Sequence, residues 1–422
     1  MKEKFYDGIS SLVVGILFVF WGILLFIWRE SLYENVVEIL VIVLIGREIL
    51  SLIKCVFGKK NSKYLLWLLL FNFVCCFVLC VIPRAFLGVL PFLFSFYLII
   101  IGIVQFIRCF LEIRDRVYVH FSYLLMGFIY FVVALPILVN PLKKIDIFIT
   151  CLSIYILLLG FSYILYTIGR IVPIKHKNRI KRRIKVTLPK IIEAIIPYSV
   201  MMEINRNLDV NIGFVYDLDS VNKDVDLHIL IHTSSNGNNK MGHMDLIFDN
   251  KVYSYGNYDE GSRRFNEVFG DGVLFSTDKI KEYINFCIDN SKKTVFDFGI
   301  ILNDKEKSII RDRIKFLFDN TIVWNYRDDK KYNNGNSYAG KLYKRTGAKF
   351  YKFTKTKYKT YFVLGTNCCY LVDDIVRKSG MDIISINGII TPGTYYDYLN
   401  KSLRLKKSRV ISKDIYNKNK RP

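Results

Sequence analysis

Long apolar stretches fill the first 172 residues of this chain and constrain its fold more than any other feature. Six of them are visible, and each approaches the length of about 20 residues that an α-helix needs to cross a bilayer. They lie at roughly 8–28, 36–53, 64–82, 86–107, 118–139 and 146–169. We therefore predict that residues 1–172 form an all-α transmembrane bundle of six helices.

Charge divides the chain near Arg170. Of its 60 Lys and Arg and 37 Asp and Glu residues, 15 and 9 lie in residues 1–172, which leaves 45 and 28 for the remainder. The second half therefore has the polarity of a soluble, strongly basic domain. Lys and Arg also concentrate at the N-terminus, in alternate loops and after the sixth stretch. By the positive-inside rule this pattern predicts a multi-pass cell-membrane protein with both termini in the cytoplasm.

Two basic segments flank the soluble part. Residues 173–190 hold eight basic side chains and no acid, and their position after a span favours a linker bound to anionic lipid headgroups. The last 22 residues hold nine Lys or Arg and one acid, Asp414, which predicts a solvated basic tail over 403–422. We do not expect nucleic acid as a partner, because the first segment adjoins a span and no nucleic-acid-binding module is recognisable.

The apolar half repeats internally. The strings LIGREIL, IIGIVQF and LLGFSYI place Gly46, Gly102 and Gly160 at spacings of 56 and 58 residues. Three such helical hairpins resemble the HdeD-like family of six-span membrane proteins, which is loosely associated with acid stress. Small residues at these positions let helices approach closely, so we expect a packing scaffold that offers a surface for self-association. Transport is less favoured, because no span shows a series of acids or a broken helix.

Residues 191–402 are predicted to form a mixed α+β domain built on an antiparallel sheet. Alternating apolar residues predict strands at 213–217, 226–233, 244–249, 252–256, 272–276, 294–302, 349–353 and 360–365. Helical spacing and caps predict helices at 188–207, at 278–289, after the N-cap Asn303 and at 367–379.

A cysteine and a histidine in this domain are placed for thiol chemistry. Cys368 begins a predicted helix, where unpaired backbone N–H groups and the helix dipole favour a thiolate, and Asn367 can cap that helix. His243 opens a predicted strand after a glycine-rich loop and can serve as general base. Cys369 points about 100° away around the helix and is expected in the core. Two structural alternatives stay open: a buried thiol at Cys368 and a polar hairpin residue at His243.

Metal and cofactor binding are not predicted. His228 and His232 alternate on one strand, but no Cys, Asp or Glu nearby completes a ligand set, so we expect structural roles for both. The nine cysteines show neither zinc spacing nor a disulfide framework, which fits a reducing compartment.

Two strings, GHMDLIFDNKVYSYGNYD and GTNCCYLVDDIV, together resemble circularly permuted NlpC/P60 domains of unknown function in the papain-like thiol superfamily. The resemblance covers roughly residues 210–400 and implies a base at His243 and a nucleophile at Cys368. It also implies an orienting polar residue on the following strand, where Ser254, Asn257 or Asp259 stands in place of the histidine often found there. Of these three we name Asn257 and Asp259 as candidate catalytic residues.

The expected protein is a membrane-tethered, cytoplasm-facing cysteine hydrolase or acyltransferase. Its substrate would be an amide or ester, and the basic surface favours one that is linked to lipid. The alternative is a non-catalytic membrane scaffold or stress sensor whose papain-like domain only binds a ligand.

Overall fold

The computed structural model describes two units of the chain. One lies within Met1–Ile107 and Phe121–Thr167, and the other within Arg108–His120 and Ile168–Pro422. Apart from single positions between 31 and 74, the described residues are 12–29, 83–171, 183–185, 225–234, 242–291, 293–328, 337–377, 383–385, 391–403, 408–418 and 421–422.

Four helices in the described part are long and apolar enough to cross a membrane. They are α1 (Leu12–Arg29), α2 (Pro83–Arg114), α3 (Phe121–Val139) and α4 (Ile145–Ile171). These helices coincide with the first, fourth, fifth and sixth predicted spans and mark the chain as a membrane protein. The spans predicted at 36–53 and 64–82 lie outside the described residues, except for single positions.

Glycines allow close helix contacts in the first unit. A Cβ on Gly102 of α2 would lie 2.7 Å from the Phe131 ring of α3, which leaves no room for a side chain. A Cβ on Gly160 of α4 would lie 2.8 Å from the carbonyl oxygen of Gly15 on α1. Two of the three glycines of the repeat therefore lie at helix crossings, as expected from the packing of small residues in membranes.

Strands dominate the second unit. They are β1 (Arg183–Lys185), β2 (Leu227–Ser234), β3 (His243–Phe248), β4 (Lys251–Gly256), β5 (Phe269–Asp271), β6 (Val273–Thr277), β7 (Lys293–Ile300), β8 (Thr321–Trp324), β9 (Lys349–Phe353), β10 (Thr360–Phe362), β11 (Ile383–Ser385) and β12 (Val410–Tyr416). Eight of them form one antiparallel sheet in the order β12-β7-β2-β3-β4-β6-β9-β8. In addition, β1 pairs in parallel with β11, and β5 pairs with β10 in antiparallel fashion.

Helices cover both faces of this sheet. They are α5 (Ile280–Ser291), α6 (Asp304–Asp319), α7 (Tyr338–Thr346), α8 (Cys368–Val376) and α9 (Pro392–Leu403). Alternation along β3 puts Met244 and Leu246 into a core with α6, α8 and α9. The same alternation puts Ile247 into a second core with α5 and α7. Both cores are closed by large apolar side chains, each of which contributes roughly 1.5–3 kcal/mol on full burial.

Most predicted elements of the soluble half are present. The strands predicted from 226–233 to 360–365 correspond to described strands, and Asn303 caps α6 in a capping box with Glu306. The helix predicted at 188–207 and the strand at 213–217 lie outside the described residues. Sequence reasoning did not find β8, α7 or α9.

The C-terminal segment differs from the predicted solvated tail. Residues Val410–Tyr416 form β12 and pair with β7 at the edge of the sheet. The ammonium group of Lys413 lies 4.8 Å from the ring centre of Tyr396, so a charged residue of the segment packs on an aromatic surface. Within the predicted linker, Arg183–Lys185 pairs with Ile383–Ser385. Parts of both basic segments therefore belong to the folded unit.

Candidate active site

Cys368 is the first residue of α8. The Asn367 side chain accepts a hydrogen bond from the Tyr370 backbone N–H at 3.0 Å and so caps the helix, as predicted. The same amide donates to the carbonyl of Val363 at 2.9 Å, which fixes the turn before the helix. Cys368 is only 3% exposed and Cys369 is fully buried. The two thiols therefore lie at the base of a rigid helix start, where the first turn supplies N–H groups to an anion.

The structure brings Cys368 and His243 together, although 125 residues separate them in sequence. Their side chains are hydrogen-bonded, and Cys368 also interacts with the Met244 backbone N–H and the Cys369 thiol. The Cys369 hydrogen bond is the largest influence, and with His243 and Met244 it outweighs burial and lowers the pKa of Cys368 well below its ordinary value. Burial raises the pKa of Cys369 well above its ordinary value. The thiolate therefore resides on Cys368.

His243 is held as the cationic partner of this thiolate. Burial disfavours its charged form, but the charges of Cys368 and Asp245 outweigh burial and raise the pKa of His243 to about 10. Its Nε2 lies 3.0 Å from Ser254 Oγ, from Tyr258 Oη and from Asp245 Oδ1. The approach to Asp245 is a charge contact rather than a well-directed hydrogen bond. His243 Nε2 is therefore surrounded by two hydroxyl oxygens and one carboxylate oxygen.

Asp245 is a fully buried carboxylate with two further partners. Its Oδ2 lies 2.5 Å from His232 Nε2 and accepts a hydrogen bond from Tyr283 Oη at 2.5 Å. Burial lowers the pKa of His232 to about 4, so His232 is neutral and donates its Nε2–H to the carboxylate. Burial would raise the pKa of Asp245, but His243 and His232 hold it well below the ordinary value. Asp245 is therefore ionised within the protein interior.

Asn257 and Asp259, the two candidates chosen from the sequence, form contacts with residues other than His243. Asn257 Nδ2 donates to the backbone carbonyl of Glu267 at 3.1 Å. Asp259 caps the short helix Glu260–Ser262 and forms an ion pair with Lys352 Nζ at 2.5 Å. Of the three polar residues considered on the following strand and turn, Ser254 is the one that contacts His243.

Sequence reasoning did not assign Asp245, His232 or Tyr258 to the site, although it considered His232 as a metal ligand and expected a structural role for it. Residues at i and i+2 of a strand share a face, so the string His243-Met244-Asp245 already implied that the histidine and the acid are neighbours. In the β2–β3 hairpin, His232 lies directly opposite His243. The polar partner of His232 is Asp245, whose Oδ2 lies 2.5 Å from its Nε2, a contact that the sequence did not reveal.

Aromatic side chains surround the site. Burial raises the pKa of Tyr255 and Tyr361 well above the ordinary value, and the nearby charge of Cys368 adds to the shift in both. On the β5–β10 pair that precedes α8, the rings of Phe269 and Phe362 stack with their centroids 4.8 Å apart. Buried aromatic rings therefore lie next to Cys368, and their low-dielectric surroundings strengthen the electrostatic interactions of the thiolate.

Within the described ranges, no group of three or more His, Cys, Asp or Glu side chains has an arrangement that could hold a metal ion. The chemistry that this arrangement supports directly is nucleophilic attack by a thiolate beside an imidazolium.

Comparison with protein-family models, with curated proteins and with solved structures gives one result. No match is found in any of the three. The likeness to HdeD-like and permuted NlpC/P60 proteins therefore rests on the motifs quoted above, and the site is interpreted from its geometry.

Proposed function

We propose that this protein is a membrane-anchored cysteine hydrolase or acyltransferase whose substrate carries an amide or ester bond. The observation that carries the proposal is the hydrogen-bonded pair of Cys368 and His243 at the start of α8. A thiolate that is stabilised at neutral pH and adjoins an imidazolium is the reactive arrangement of thiol enzymes.

The reaction proceeds in two half-reactions. The Cys368 thiolate attacks the carbonyl carbon, the C–S bond forms, and the carbonyl π electrons move to oxygen. The backbone N–H of Cys368, in the first turn of α8, contributes to stabilising that oxyanion. His243 then donates its proton to the leaving nitrogen or oxygen as the C–N or C–O bond breaks, which leaves a thioester. Water, or an acceptor alcohol or amine, gives a proton to His243, attacks the thioester and restores the thiolate.

The fold and location expected from the sequence belong to the same proposal. In a permuted papain-like domain the histidine strand precedes the cysteine helix in the chain, and the order of β3 and α8 agrees with this arrangement. The three glycine repeats support six spans, and the distribution of Lys and Arg supports a cytoplasmic domain. A basic juxtamembrane segment at 173–190 favours anionic lipid as a binding partner and a substrate linked to lipid.

Alkylation by iodoacetamide of the full chain in detergent tests the proposal. We expect Cys368 to react rapidly near neutral pH, and Cys369 and Cys287 to react slowly because burial raises the pKa of both. His243→Ala should slow Cys368 at least tenfold by removing the cationic partner. Peptide mass spectrometry after proteolysis assigns the label to each cysteine. Equal, slow labelling of all three cysteines in the wild-type chain would overturn the proposal.

A second candidate is a ligand-binding membrane scaffold without catalysis. The observation that favours it is the 3% exposure of Cys368, since a substrate carbonyl must reach the sulfur. Incubation with p-nitrophenyl acetate separates the two candidates. The enzyme forms a thioester on Cys368, which adds an acetyl mass that hydroxylamine removes, whereas a pure binding domain gives no adduct at that position.

A further inference from the structure

Three oxygen atoms lie at the same distance from His243 Nε2, and they differ in charge. Ser254 Oγ and Tyr258 Oη are hydroxyl groups that also lie 2.6 Å from each other, so they form a neutral pair. Asp245 Oδ1 belongs to a carboxylate that is fully buried. A cation inside a protein is stabilised far more by an adjacent anion than by neutral hydroxyls. The carboxylate is therefore the group with the greatest effect on the imidazolium.

Of the three groups around His243 Nε2, the Asp245 carboxylate is held in position by the largest number of polar contacts among the described residues. It shares strand β3 with His243, so the two side chains are set side by side by the backbone itself. Its second oxygen is held from two separate elements, by His232 on β2 and by Tyr283 on α5. Two hydrogen bonds to one carboxylate oxygen orient the group so that its other oxygen is directed at His243.

We propose that Asp245 is the positioning residue of this site, and that His232 and Tyr283 hold its distal oxygen so that its proximal oxygen faces His243. The inference rests on the proposed thiol chemistry, which it deepens by assigning the third member to the histidine strand itself. Asn257 and Asp259, which the sequence suggested for this role, are replaced by Asp245. The arrangement requires a neutral His232, because a second cation at that position would compete with His243 for the carboxylate.

Several other titratable groups face this cluster. Lys293 on β7 exerts its positive charge on His232, and the buried thiol of Cys287 on α5 senses both Lys293 and Asp245. Tyr258 contacts His243, and its phenol remains protonated because burial raises its pKa well above the ordinary value. Cys368 approaches from α8. The pH dependence of Cys368 reactivity therefore reflects all of these groups together. The contribution of one residue is measured by substituting that residue alone.

The pH profile of Cys368 alkylation tests the role of Asp245. Loss of the carboxylate destabilises the imidazolium, so the thiolate forms at higher pH. We expect Asp245→Asn to move the acid-side midpoint upward, with at least a tenfold lower rate below that midpoint. Ser254→Ala, which removes an uncharged contact at the same distance, should move it less. Asp259→Asn, an equivalent change of acid to amide away from His243, should leave the midpoint unchanged.

The outcomes separate the two levels of the proposal. A wild-type Cys368 that labels no faster than Cys287 refutes the thiol enzyme itself. A reactive wild-type Cys368 with an unshifted profile in folded Asp245→Asn, or a larger shift in Ser254→Ala, refutes the role of Asp245 alone.

Nitrogen-15 spectra of the histidine-labelled wild-type chain give a second measurement that needs no folded Asp245 variant. The chain has five histidines, and single His→Gln variants at His232 and His243 assign the two resonances. At pH 7.5 we expect a doubly protonated His243 and a neutral His232 that carries its proton on Nε2. A protonated His232, or a neutral His243, would overturn the inference.

Discussion

Adjacent thiols at the start of α8 have opposite properties because one donates a hydrogen bond to the other. The Cys369 thiol stays protonated and donates to Cys368, and this bond is the largest influence that lowers the pKa of Cys368. Cys369 is therefore part of the site as well as of the core, where the sequence had assigned it.

Two substitutions at Cys369 distinguish these roles. Cys369→Ala removes the donor, and we expect Cys368 alkylation on the acid side of its profile to slow by about tenfold or more. The reason is that a hydrogen bond to a charged group contributes roughly 1.5–3 kcal/mol. Cys369→Ser keeps a donor at the same position and should retain most of the rate. Iodoacetamide kinetics at several pH values measure both, and equal rates in the two variants would contradict this view.

Gly242 directly precedes His243 and has a positive φ of 82°. A Cβ at this position would lie 3.1 Å from the His232 carbonyl oxygen and from Pro392 Cβ. Gly347 also has a positive φ, 63°, but no atom lies within 4 Å of its added Cβ. A side chain at either glycine would therefore strain the left-handed backbone, but only at Gly242 would it also meet neighbouring atoms.

Comparing Gly242→Ala with Gly347→Ala distinguishes the effect of backbone strain on stability from the effect of moving His243 on reactivity. We expect each variant to lose about 1–2 kcal/mol of unfolding free energy from the left-handed backbone. Only Gly242→Ala should also slow the alkylation of Cys368, because relief of its close contacts moves the start of β3. Thermal unfolding and labelling kinetics provide the two readouts, and unchanged labelling in Gly242→Ala would count against a tightly positioned His243.

Cys368 and His243 could be found from the sequence because glycine-rich turns and element boundaries mark them. No turn or element boundary marks Asp245; its i+2 spacing from His243 places the two side chains on one face of the strand, but its apolar neighbours assign the strand to the core and hide its role. A charged residue in such a strand is stable only with buried partners. Those partners, His232 and Tyr283, come from β2 and α5, and their proximity depends on tertiary packing.

At the level of elements, charged side chains on β2, β7 and β12 contribute to the attachment of the edge strand β12 to the sheet. His228 Nδ1 on β2 lies 2.9 Å from Asp297 Oδ1 on β7, and Asp297 is opposite Asp414 on β12. Burial disfavours protonation of His228, but the hydrogen bond to Asp297 and the charges of Asp297 and Asp414 outweigh it and raise its pKa. The protonated imidazole therefore reduces the repulsion between two facing carboxylates.

This arrangement predicts a pH-dependent attachment of β12. Because the folded pKa of His228 is raised, its stabilisation is complete below the unfolded value of about 6.5 and is lost as pH rises through the folded pKa. We expect β12 amides to be less protected at pH 9 than at pH 6, and His228→Gln to reduce that difference. Hydrogen exchange of the full chain, corrected for the intrinsic effect of pH, measures protection. The same pH dependence in both proteins would refute the prediction.

Long, regular patterns explain which elements were predictable. The β2–β3–β4 succession consists of short apolar runs bounded by turn residues, a pattern that predicts buried strands, and β3 and β4 are buried on both faces. Strand β8 is four residues long and exposes Ile322 and Val323 at the other edge of the sheet. Strand β12 carries Lys413 and Asp414, as charged edge strands often do, and its composition therefore suggested a tail. Their pairing depends on neighbouring strands that local composition does not describe.

At the scale of the whole molecule, the orientation in the membrane decides which substrates reach Cys368. Fusing a fluorescent protein that folds in the cytoplasm, or a phosphatase active only outside it, to the C-terminus tests this. We expect fluorescence from the first fusion and no activity from the second, because the basic segments favour the cytoplasmic side. The reverse result would redirect the proposal toward a substrate outside the cytoplasm.

Gly15 lies on the first helix of the apolar half and Gly160 on the last. The ribosome therefore synthesises Gly15 well before Gly160. Ribosomes add about 5–20 residues per second, and the 145 residues added after Gly15, up to and including Gly160, take roughly 7–30 seconds. During that interval α1 lies in the membrane without the helix against which Gly15 packs. Lipid, the insertion machinery or an earlier hairpin must cover that face until α4 emerges. A nascent chain that stops before residue 160 therefore lacks the contact that joins the first helix to the last.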